Sequence, residues 1–334
     1  MKIYLAPLEN ITTHVYRNTM HEMFGESIDT YFMPFFMPHT KISLDEKEKR
    51  QLASENNLVE TLIPQILTDD AEGFWRMATG IVDRGYQEIN INIGCPSHKV
   101  ASKGRGAGLL ERKEKLDAFL DGVFEKKPKE IDISVKTRIG TRKSEEFYDL
   151  LEIYNKYPLK ELIIHPRTGL EKYSGFPHRE YFYYALTHSK NPLSYNGDIY
   201  TVEDYHNFLQ SIREYLAKET PDLNAEEMIE SMTGIMMGRG LLANPALGRE
   251  IKGGPKVTGE ELLQFMRRYR ENCQKAPRMD KKYYLLNKSK EIWSFMRVHY
   301  KDREEEVRQI FLTNDYEHYL TLEEKFFLGG EFYE

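Results

Sequence analysis

The sequence predicts an α/β protein, a (β/α)₈ TIM barrel followed by a small C-terminal α-helical domain. Eight short apolar, β-rich runs recur in the first 240 residues, and amphipathic stretches of helical period lie between most of them. The starts of successive runs are separated by roughly 26 to 44 residues, the size of one βα unit with loops of variable length. Eight such units fit a closed parallel barrel better than an open doubly wound sheet.

The elements follow in chain order. We predict strands near residues 3–6, 31–35, 61–66, 88–92, 131–136, 161–165, 193–196 and 234–237. Helical faces are clearest at Phe74, Ala78, Ile81 and Val82, at Leu116, Phe119, Leu120 and Val123, and at Phe147, Leu150, Leu151 and Tyr154. After a break at 253–255, two more faces follow: Leu262, Phe265, Met266 and Tyr269, then Leu285, Ser289, Ile292, Trp293 and Met296. We therefore predict a barrel domain over 1–248 and a helical domain over 255–334.

Composition excludes several protein classes. The chain of 334 residues is 40% hydrophobic and 30% charged, as in ordinary globular proteins, and its apolar runs are too short to span a membrane. Only two cysteines occur, Cys95 and Cys273, which argues against a disulfide framework and favours a reducing, cytoplasmic setting. The strand-like segment 3–5 lies so near the start that we expect no signal peptide.

Seven of the predicted strands end in unusual residues on the same side, and in almost every case these are polar, charged or glycine. In strand order they are Ala6-Pro7-Leu8, Gln65, Asn92-Ile93-Gly94-Cys95-Pro96, Lys136 with Arg138, His165 with Arg167, Asn196-Gly197-Asp198, and Gly238-Arg239-Gly240. Barrel enzymes carry their chemistry at the carboxyl ends of the strands. We therefore predict that these residues meet in one active site, with no bound metal.

The last two of these segments suit a phosphate group. Glycines let the backbone approach an anion closely, and Arg239 can bind it through two N–H groups. Asn196-Gly197 alone is typical of a simple turn. Its pairing with Gly238-Arg239 favours a phosphate carried by a cofactor or a substrate.

Lys136 has two possible chemical uses beside a simple solvent-facing position. It could form a Schiff base, as in an aldolase, or place its charge beside an electron-rich ring. Arg138, two residues later, faces the same side of the strand. A lysine that stays charged is a poor Schiff-base nucleophile. The pattern favours the electrostatic role.

Cys95 stands in a strand-to-loop turn between Gly94 and Pro96. The following loop, 97–110, is rich in glycine and cations, including Lys99, and is typical of a segment that closes over an anionic ligand. An ordinary thiol is almost wholly protonated at pH 7. Cys95 can therefore donate a proton to carbon while a hydride arrives from elsewhere, whereas we expect Cys273 to be an inert core residue.

These motifs together resemble the tRNA-dihydrouridine synthase family. The matching segments are Ala6-Pro7-Leu8, Pro64-Gln65-Ile66, Asn92-Ile93-Gly94-Cys95-Pro96 with Lys99-Val100, Gly106-Ala107-Gly108-Leu109-Leu110, Val135-Lys136-Thr137-Arg138, His165-Pro166-Arg167-Thr168, Tyr173-Ser174-Gly175, Asn196-Gly197-Asp198-Ile199 and Gly238-Arg239-Gly240. They span about residues 5 to 245 in family order, so the resemblance covers the whole barrel.

The resemblance implies FMN at the barrel mouth and NADPH as its reductant. The implied flavin contacts are Pro7 and Leu8 behind the ring, a hydrogen bond from Gln65, Lys136 and His165 beside it, and Asn196, Gly197, Asp198, Gly238 and Arg239 around the phosphate. The family reduces the C5=C6 bond of a uracil in tRNA, with a hydride from the flavin and a proton from the cysteine, here Cys95. The implied substrate contacts are Asn92 and Arg167 at the uridine, with Lys99 and Arg138 as further candidates.

The RNA would be held through its phosphates. Residues 250–303 contain 14 Lys+Arg against 7 Asp+Glu, and residues 304–334 contain 2 against 9. The main basic candidates are Arg267, Arg268, Arg270, Lys275, Arg278, Lys281 and Lys282. The acidic tail either faces away from RNA or covers the basic helices when RNA is absent, and the sequence leaves both arrangements open.

A few positions depart from the family pattern, and three rival functions stay open. Leu8 stands where methionine is frequent, Thr12-Thr13 and Tyr16-Arg17 replace Thr-Asp and Phe-Arg, and Glu171 stands where glutamine is frequent. The rivals are a flavin-dependent barrel reductase of a free small molecule such as a pyrimidine or an enone, a Schiff-base aldolase using Lys136, and a catalytically silent RNA-binding barrel.

Overall fold

The barrel is a single curled sheet of parallel strands in the computed structural model, which describes residues 1–276 and 281–329. The strands are β1 (Lys2–Leu5), β2 (Thr30–Phe32), β3 (Leu62–Ile63), β4 (Gln65–Ile66), β5 (Glu88–Ile93), β6 (Asp132–Arg138), β7 (Leu162–His165), β8 (Leu193–Asn196) and β9 (Gly234–Met237). Their order in the sheet is β3-β2-β1-β9-β8-β7-β6-β5-β4. Because β3 and β4 at the two ends are consecutive in the chain, the sheet is nearly closed. The predicted TIM barrel is confirmed.

The third predicted strand, 61–66, is divided in two at Pro64. Proline has no N–H group and cannot donate to a strand ladder, although the carbonyl of Pro64 still accepts from the backbone of Asn90 at 2.9 Å. As a result β3 pairs with β2, and β4 pairs with β5. The second strand is also shorter than predicted, ending at Phe32 shortly before Pro34.

Fifteen helices occur in the described residues. They are α1 (His14–Phe24), α2 (Glu46–Leu52), α3 (Ala71–Val82), α4 (His98–Ala101), α5 (Lys113–Glu125), α6 (Glu146–Tyr154), α7 (Arg179–His188), α8 (Val202–Glu219), α9 (Ala225–Ser231), α10 (Arg239–Ala243), α11 (Leu247–Ile251), α12 (Gly259–Lys275), α13 (Lys282–Met296), α14 (Glu304–Leu312) and α15 (Tyr316–Leu328). Asp70, Thr201 and Thr258 accept hydrogen bonds from the first turns of α3, α8 and α12, so those helices begin there. None of these helices has the length and apolarity to cross a bilayer.

The predicted helical faces form the core. All the predicted apolar residues of α5, α6 and α12 are buried, as are Phe74, Ala78 and Ile81 of α3, while Val82 is only partly buried. The strands are buried on both sides, as expected for a parallel sheet covered by helices.

The C-terminal helices pack directly on the barrel. The rings of Tyr16 in α1 and Phe265 in α12 meet edge to face with centroids 5.8 Å apart. The side-chain nitrogen of Asn272 also donates to Thr19 Oγ1 at 3.1 Å and to Glu22 Oε2 at 2.9 Å. The predicted helical region is therefore confirmed, whereas its division from the barrel between 248 and 255 stays a prediction.

The acidic helix α15 lies against the basic helix α12. Glu323 pairs with Arg270 at 2.7 Å, and both side chains are buried. On the surface Glu324 pairs with Arg267 at 2.9 Å, and Glu317 pairs with Lys282. Of the two arrangements that the sequence left open, the structure thus has acidic residues covering part of the basic stretch. Arg270 is consequently unavailable to RNA, and Arg278 lies outside the described residues.

Candidate active site

A cavity of about 620 Å³ opens at the carboxyl ends of the strands. It is lined by the predicted residues Pro7, Leu8, Asn92, Cys95, Lys136, Arg138, His165, Asn196, Gly197, Asp198, Gly238 and Arg239. Three predicted residues do not line it: Gln65, Lys99 and Arg167. The strand-end pattern therefore brings most of the candidates to one place, because parallel strands end at the same edge of a barrel.

The turn that carries Cys95 is held from several sides. The side-chain oxygen of Asn92 accepts from the backbone N–H groups of Gly94 at 3.0 Å and Cys95 at 2.9 Å. The guanidinium of Arg138 donates to the carbonyl of Gly94 at 2.9 Å. Gly106 packs against the same turn at φ +53°, where a Cβ would lie 2.7 Å from the carbonyl oxygen of Cys95. The thiol, which is partly exposed to the cavity, thus has a fixed backbone.

A row of buried polar side chains runs from this turn into the barrel interior. Asn92 Nδ2 donates to Gln65 Oε1 at 2.7 Å, and Gln65 Nε2 donates to Asn90 Oδ1 at 2.7 Å. Asn90 Nδ2 then donates to Ser134 Oγ at 2.9 Å, which donates to Glu88 Oε1 at 2.7 Å. Because the oxygen of Asn92 must accept from backbone N–H groups, every amide in the row has a single orientation.

Gln65 is the middle member of that row. Its oxygen and one of its N–H groups are already used within the protein, and its side chain is fully buried. The predicted hydrogen bond from Gln65 to a flavin stays a prediction, and it would have to use the remaining N–H group or oxygen lone pair.

Burial and neighbouring cations set the protonation of the cavity residues. Burial, and next the charge of Arg138, lower the pKa of Lys136 to about 7. Within the described part of the chain no carboxylate pairs with the Lys136 amino group. Burial, and next the charges of Arg138 and Lys136, hold the pKa of His165 well below its ordinary value, so the ring is neutral. Burial raises the pKa of the Cys95 thiol, which keeps its proton at neutral pH.

The tautomer of His165 follows from its neighbour. Arg167 Nη1 lies 3.2 Å from His165 Nε2, and a guanidinium can only donate. His165 Nε2 is therefore the acceptor, and Nδ1 carries the proton.

Asp198 connects two arginines at the predicted phosphate site. Its two carboxylate oxygens accept from Arg167 and from Arg239. Arg239 also lies over the ring of Tyr173, 4.8 Å from its centroid. A carboxylate repels a phosphate, so Asp198 is not itself a phosphate ligand. It acts on an anionic ligand by positioning the guanidinium of Arg239.

Two glycines in this region have packing reasons that the sequence did not indicate. A Cβ on Gly197 would lie 2.1 Å from the hydroxyl of Tyr195, and one on Gly240 would lie 1.9 Å from the carbonyl of Ile199. The turns after β8 and β9 are thus packed too closely for any side chain at these positions.

Arg167 and Lys99 lie away from the cavity surface. Arg167 is fully buried and donates to the carbonyls of Ser174 at 3.2 Å and Gly175 at 2.6 Å. Lys99 is exposed on the short helix α4. The predicted contacts of Arg167 and Lys99 with substrate stay predictions. The hydrogen bonds of Arg167 position the loop that follows β7.

Sequence reasoning missed several residues that line the cavity. Glu9 and Tyr200 do so, and each lies within two residues of a predicted site segment, so sequence proximity could have identified them. Phe295 reaches the cavity from α13. No sequence signal indicated this residue, since it lies off the apolar face predicted for that helix.

Comparisons with known proteins point to one family. The family model described as Dihydrouridine synthase (Dus) matches residues 4–214. A probable tRNA-dihydrouridine synthase of Staphylococcus epidermidis (strain ATCC 12228) is 28% identical over 272 residues, which cover 79% of this chain and 75% of that protein. The tRNA-dihydrouridine(16) synthase of Pseudomonas syringae pv. tomato is 26% identical over 284 residues, which cover 82% of this chain and 83% of that protein. The probable tRNA-dihydrouridine synthase 2 of Bacillus subtilis is 28% identical over 272 residues, which cover 79% of this chain and 75% of that protein.

The family match begins within β1 and continues into α8, so it contains the Cys95 turn, Lys136 and His165. The chain therefore belongs to the dihydrouridine synthase family.

Proposed function

We propose that the protein reduces the C5=C6 bond of specific uridines in tRNA to give 5,6-dihydrouridine, with FMN as cofactor and NADPH as the source of electrons. The observation that carries the proposal is Cys95, a protonated thiol in the wall of a cavity that also contains Lys136, a partly buried lysine without a carboxylate partner in the described residues, in a chain of this family. The names of the relatives support tRNA as the substrate.

The residues of the cavity fit FMN. Pro7 and Leu8 offer an apolar wall for a ring system, and the volume of about 620 Å³ lies in the usual range for cofactor sites. Lys136, a partly buried lysine without a carboxylate partner in the described residues, can take up a proton and so suits the negative charge of a reduced flavin. Asn196, Gly197, Gly238 and Arg239, with Asp198 positioning Arg239, form the side of the cavity that suits the phosphate.

Cys95 acts as the acid of the reaction. FMN bound in this cavity would supply, in its reduced form, the hydride for one carbon of the double bond, and NADPH would be the source of its electrons. The thiol donates its proton to the other carbon, so that one π bond is lost and two C–H bonds form. The thiolate that remains takes a proton from solvent. Burial raises the pKa of Cys95 and so keeps the proton in place until the substrate arrives.

The remaining predicted residues orient the substrate. Asn92 lines the cavity and holds the Cys95 turn, so it can contact the uracil edge and align it with the thiol. Arg138 holds the same turn, Arg167 acts through His165 and the loop after β7, and Lys99 contacts phosphate at the rim.

The RNA must be held while one base leaves its fold and enters the cavity. We place phosphate contacts on the exposed part of the basic stretch, including Arg268 and Lys275. The exposed pairs of Arg267 and Lys282 with acidic residues are weak and can exchange for RNA phosphates. Such a substrate implies that the protein works in the cytoplasm.

The test uses tRNA from a strain that lacks this protein. The purified protein with FMN and NADPH should produce dihydrouridine at mapped positions, measured by mass spectrometry of RNA fragments. Cys95→Ala should abolish the product while FMN and tRNA still bind, and Cys273→Ala, at the buried second cysteine, should leave it unchanged. Normal product formation by Cys95→Ala would refute the assigned acid. Reduction of a free pyrimidine but not of tRNA would instead support a small-molecule reductase.

A further inference from the structure

The loop after β7, part of which lines the cavity, carries an exposed aromatic side chain. Phe176 is 89% exposed, the highest value among the large apolar side chains of the described residues. It belongs to no apolar cluster of the core and contacts no other described aromatic ring. Tyr173, three residues earlier, lines the cavity. Phe176 therefore contributes nothing evident to folding, and it follows closely in the chain on Lys172 and Tyr173, which line the cavity.

The backbone around Phe176 is held rigidly. The carbonyls of Ser174 and Gly175 accept from the fully buried Arg167, at 3.2 and 2.6 Å. Gly175 has φ +66°, a conformation that glycine adopts without strain. Pro177 follows, and the next backbone N–H, of His178, donates to the carbonyl of Pro166 at 2.7 Å. An exposed ring on such a backbone loses little conformational entropy when it binds a ligand.

The charge of the same loop is positive on the side of the cavity. Lys172 is exposed, lines the cavity and has no carboxylate partner among the described residues. The neighbouring Glu171 pairs with His178 at 2.6 Å and accepts from Thr168, so its carboxylate is directed into the loop. The rim thus combines an apolar ring with a free cation.

A polymeric substrate must pass over this rim. A uridine inside the cavity is joined through its phosphates to a nucleotide on each side, and these neighbours have to leave by the cavity mouth. An unpaired base offers a flat π-face and its linkage a negative charge, the two features that an aromatic ring and a lysine recognise in single-stranded RNA.

We propose that Phe176 is a stacking platform for an unpaired nucleobase adjacent to the uridine in the cavity, and that Lys172 contacts the phosphate that joins the two nucleotides. This inference rests on the proposed function and adds to it a contact that only an RNA substrate can make. It predicts that the enzyme recognises at least a dinucleotide step rather than a single base.

The first experiment compares steady-state kinetics on tRNA. Base stacking on an aromatic ring typically contributes enough that its loss raises KM about tenfold. Phe176→Ala should therefore raise KM for tRNA about tenfold with kcat little changed, and Phe176→Tyr should restore it. The control Leu223→Ala removes an exposed apolar residue that precedes β9, at the opposite end of the barrel, and should leave KM unchanged. An unaltered KM in Phe176→Ala, with wild-type turnover of tRNA, would overturn the proposal while the proposed function stands.

The second experiment detects stacking directly. Phe176→Trp places an indole at the rim, and its fluorescence should be quenched by tRNA but not by heparin, a polyanion without bases. Equal quenching by both polymers would show a contact through charge alone and would also overturn the proposal. If the wild-type protein neither binds nor reduces tRNA, the proposed function itself fails, which is a different outcome from both of these.

Discussion

The side-chain oxygen of Asn92 lies 2.9 Å from the backbone nitrogen of Cys95 and accepts its hydrogen bond. The nitrogen of the same amide donates to Gln65, and the nitrogen of Gln65 donates in turn to Asn90, so the Asn92 side chain is held from inside the barrel as well. The position of the thiol in the cavity therefore depends on side chains deep inside the barrel that no substrate touches.

Replacing Asn90 with aspartate tests this dependence. Asn90→Asp keeps the size of the side chain but turns the group that donates to Ser134 into an acceptor, so that the single hydroxyl proton of Ser134 faces two carboxylates, the new one and that of Glu88. The side chain at position 90 must then shift, and the shift reaches Asn92 through Gln65. We expect kcat for tRNA to fall about tenfold or more, because small displacements of a catalytic group are costly, with little change in the Kd for tRNA. Asn191→Asp is the control, since Asn191 is also buried but precedes β8 at the other end of the barrel. A wild-type kcat in Asn90→Asp would show that the row has no effect on Cys95.

Lys136→Met should lower the midpoint potential of bound FMN. Methionine has a similar shape but no charge, so it cannot stabilise the negative charge that a flavin gains on reduction. Because the pKa of Lys136 is about 7 without a ligand, that charge draws a proton onto the lysine above pH 7. The wild-type potential should therefore vary with pH more steeply than that of the variant in a spectroelectrochemical titration. Lys143→Met, at an exposed lysine outside the cavity, should leave both quantities unchanged.

Glu161 makes the stability of the barrel depend on pH. Burial raises its pKa to about 7, although Ser194 and Tyr4 donate to its carboxylate. Its folded pKa lies above the unfolded value of 4.5, so its contribution is fully present below pH 4.5 and is lost as the pH rises to about 7. Glu161→Gln should therefore raise the free energy of unfolding by up to about 3 kcal/mol at pH 8 and by much less at pH 5.

Urea denaturation at both pH values measures this difference. Asp132→Asn, at an exposed carboxylate that pairs with Lys160 at 2.9 Å, should change stability by less than about 1 kcal/mol at either pH. An equal effect of Glu161→Gln at pH 5 and pH 8 would contradict the assigned titration.

Two adjacent glutamates of α15 should differ strongly in their effect on stability. Glu323 is fully buried, pairs with Arg270 at 2.7 Å and accepts from the indole of Trp293 at 3.0 Å. Glu323→Gln leaves a buried guanidinium without its counter-ion and should cost about 3 kcal/mol. Glu324→Gln breaks only the exposed pair with Arg267 and should cost less than about 1 kcal/mol. Thermal unfolding of the two variants measures the difference, and Glu324→Gln should also strengthen tRNA binding if Arg267 contacts RNA.

Much of the candidate site could be predicted from the sequence because a parallel barrel imposes a simple geometry. Cys95, Lys136 and His165 are distant in the chain, but each stands at the carboxyl end of its strand, and these ends meet at one mouth. Gln65 shows where the rule stops. It belongs to a strand end as predicted, yet Pro64 divides that strand and its side chain is taken into the row of interior amides.

The sequence by itself determined the order of strands and helices, the buried faces and the residues at the strand ends. These depend on local periodicity and on residue type, both of which can be seen in a short window. Only the tertiary structure decided that Asn92 is joined to Asn90 through Gln65, that Glu323 neutralises Arg270, and that Phe295 reaches the cavity. These pairings join residues from different elements, and their hydrogen-bonding groups and charges find partners only when the barrel closes and the C-terminal helices pack on it.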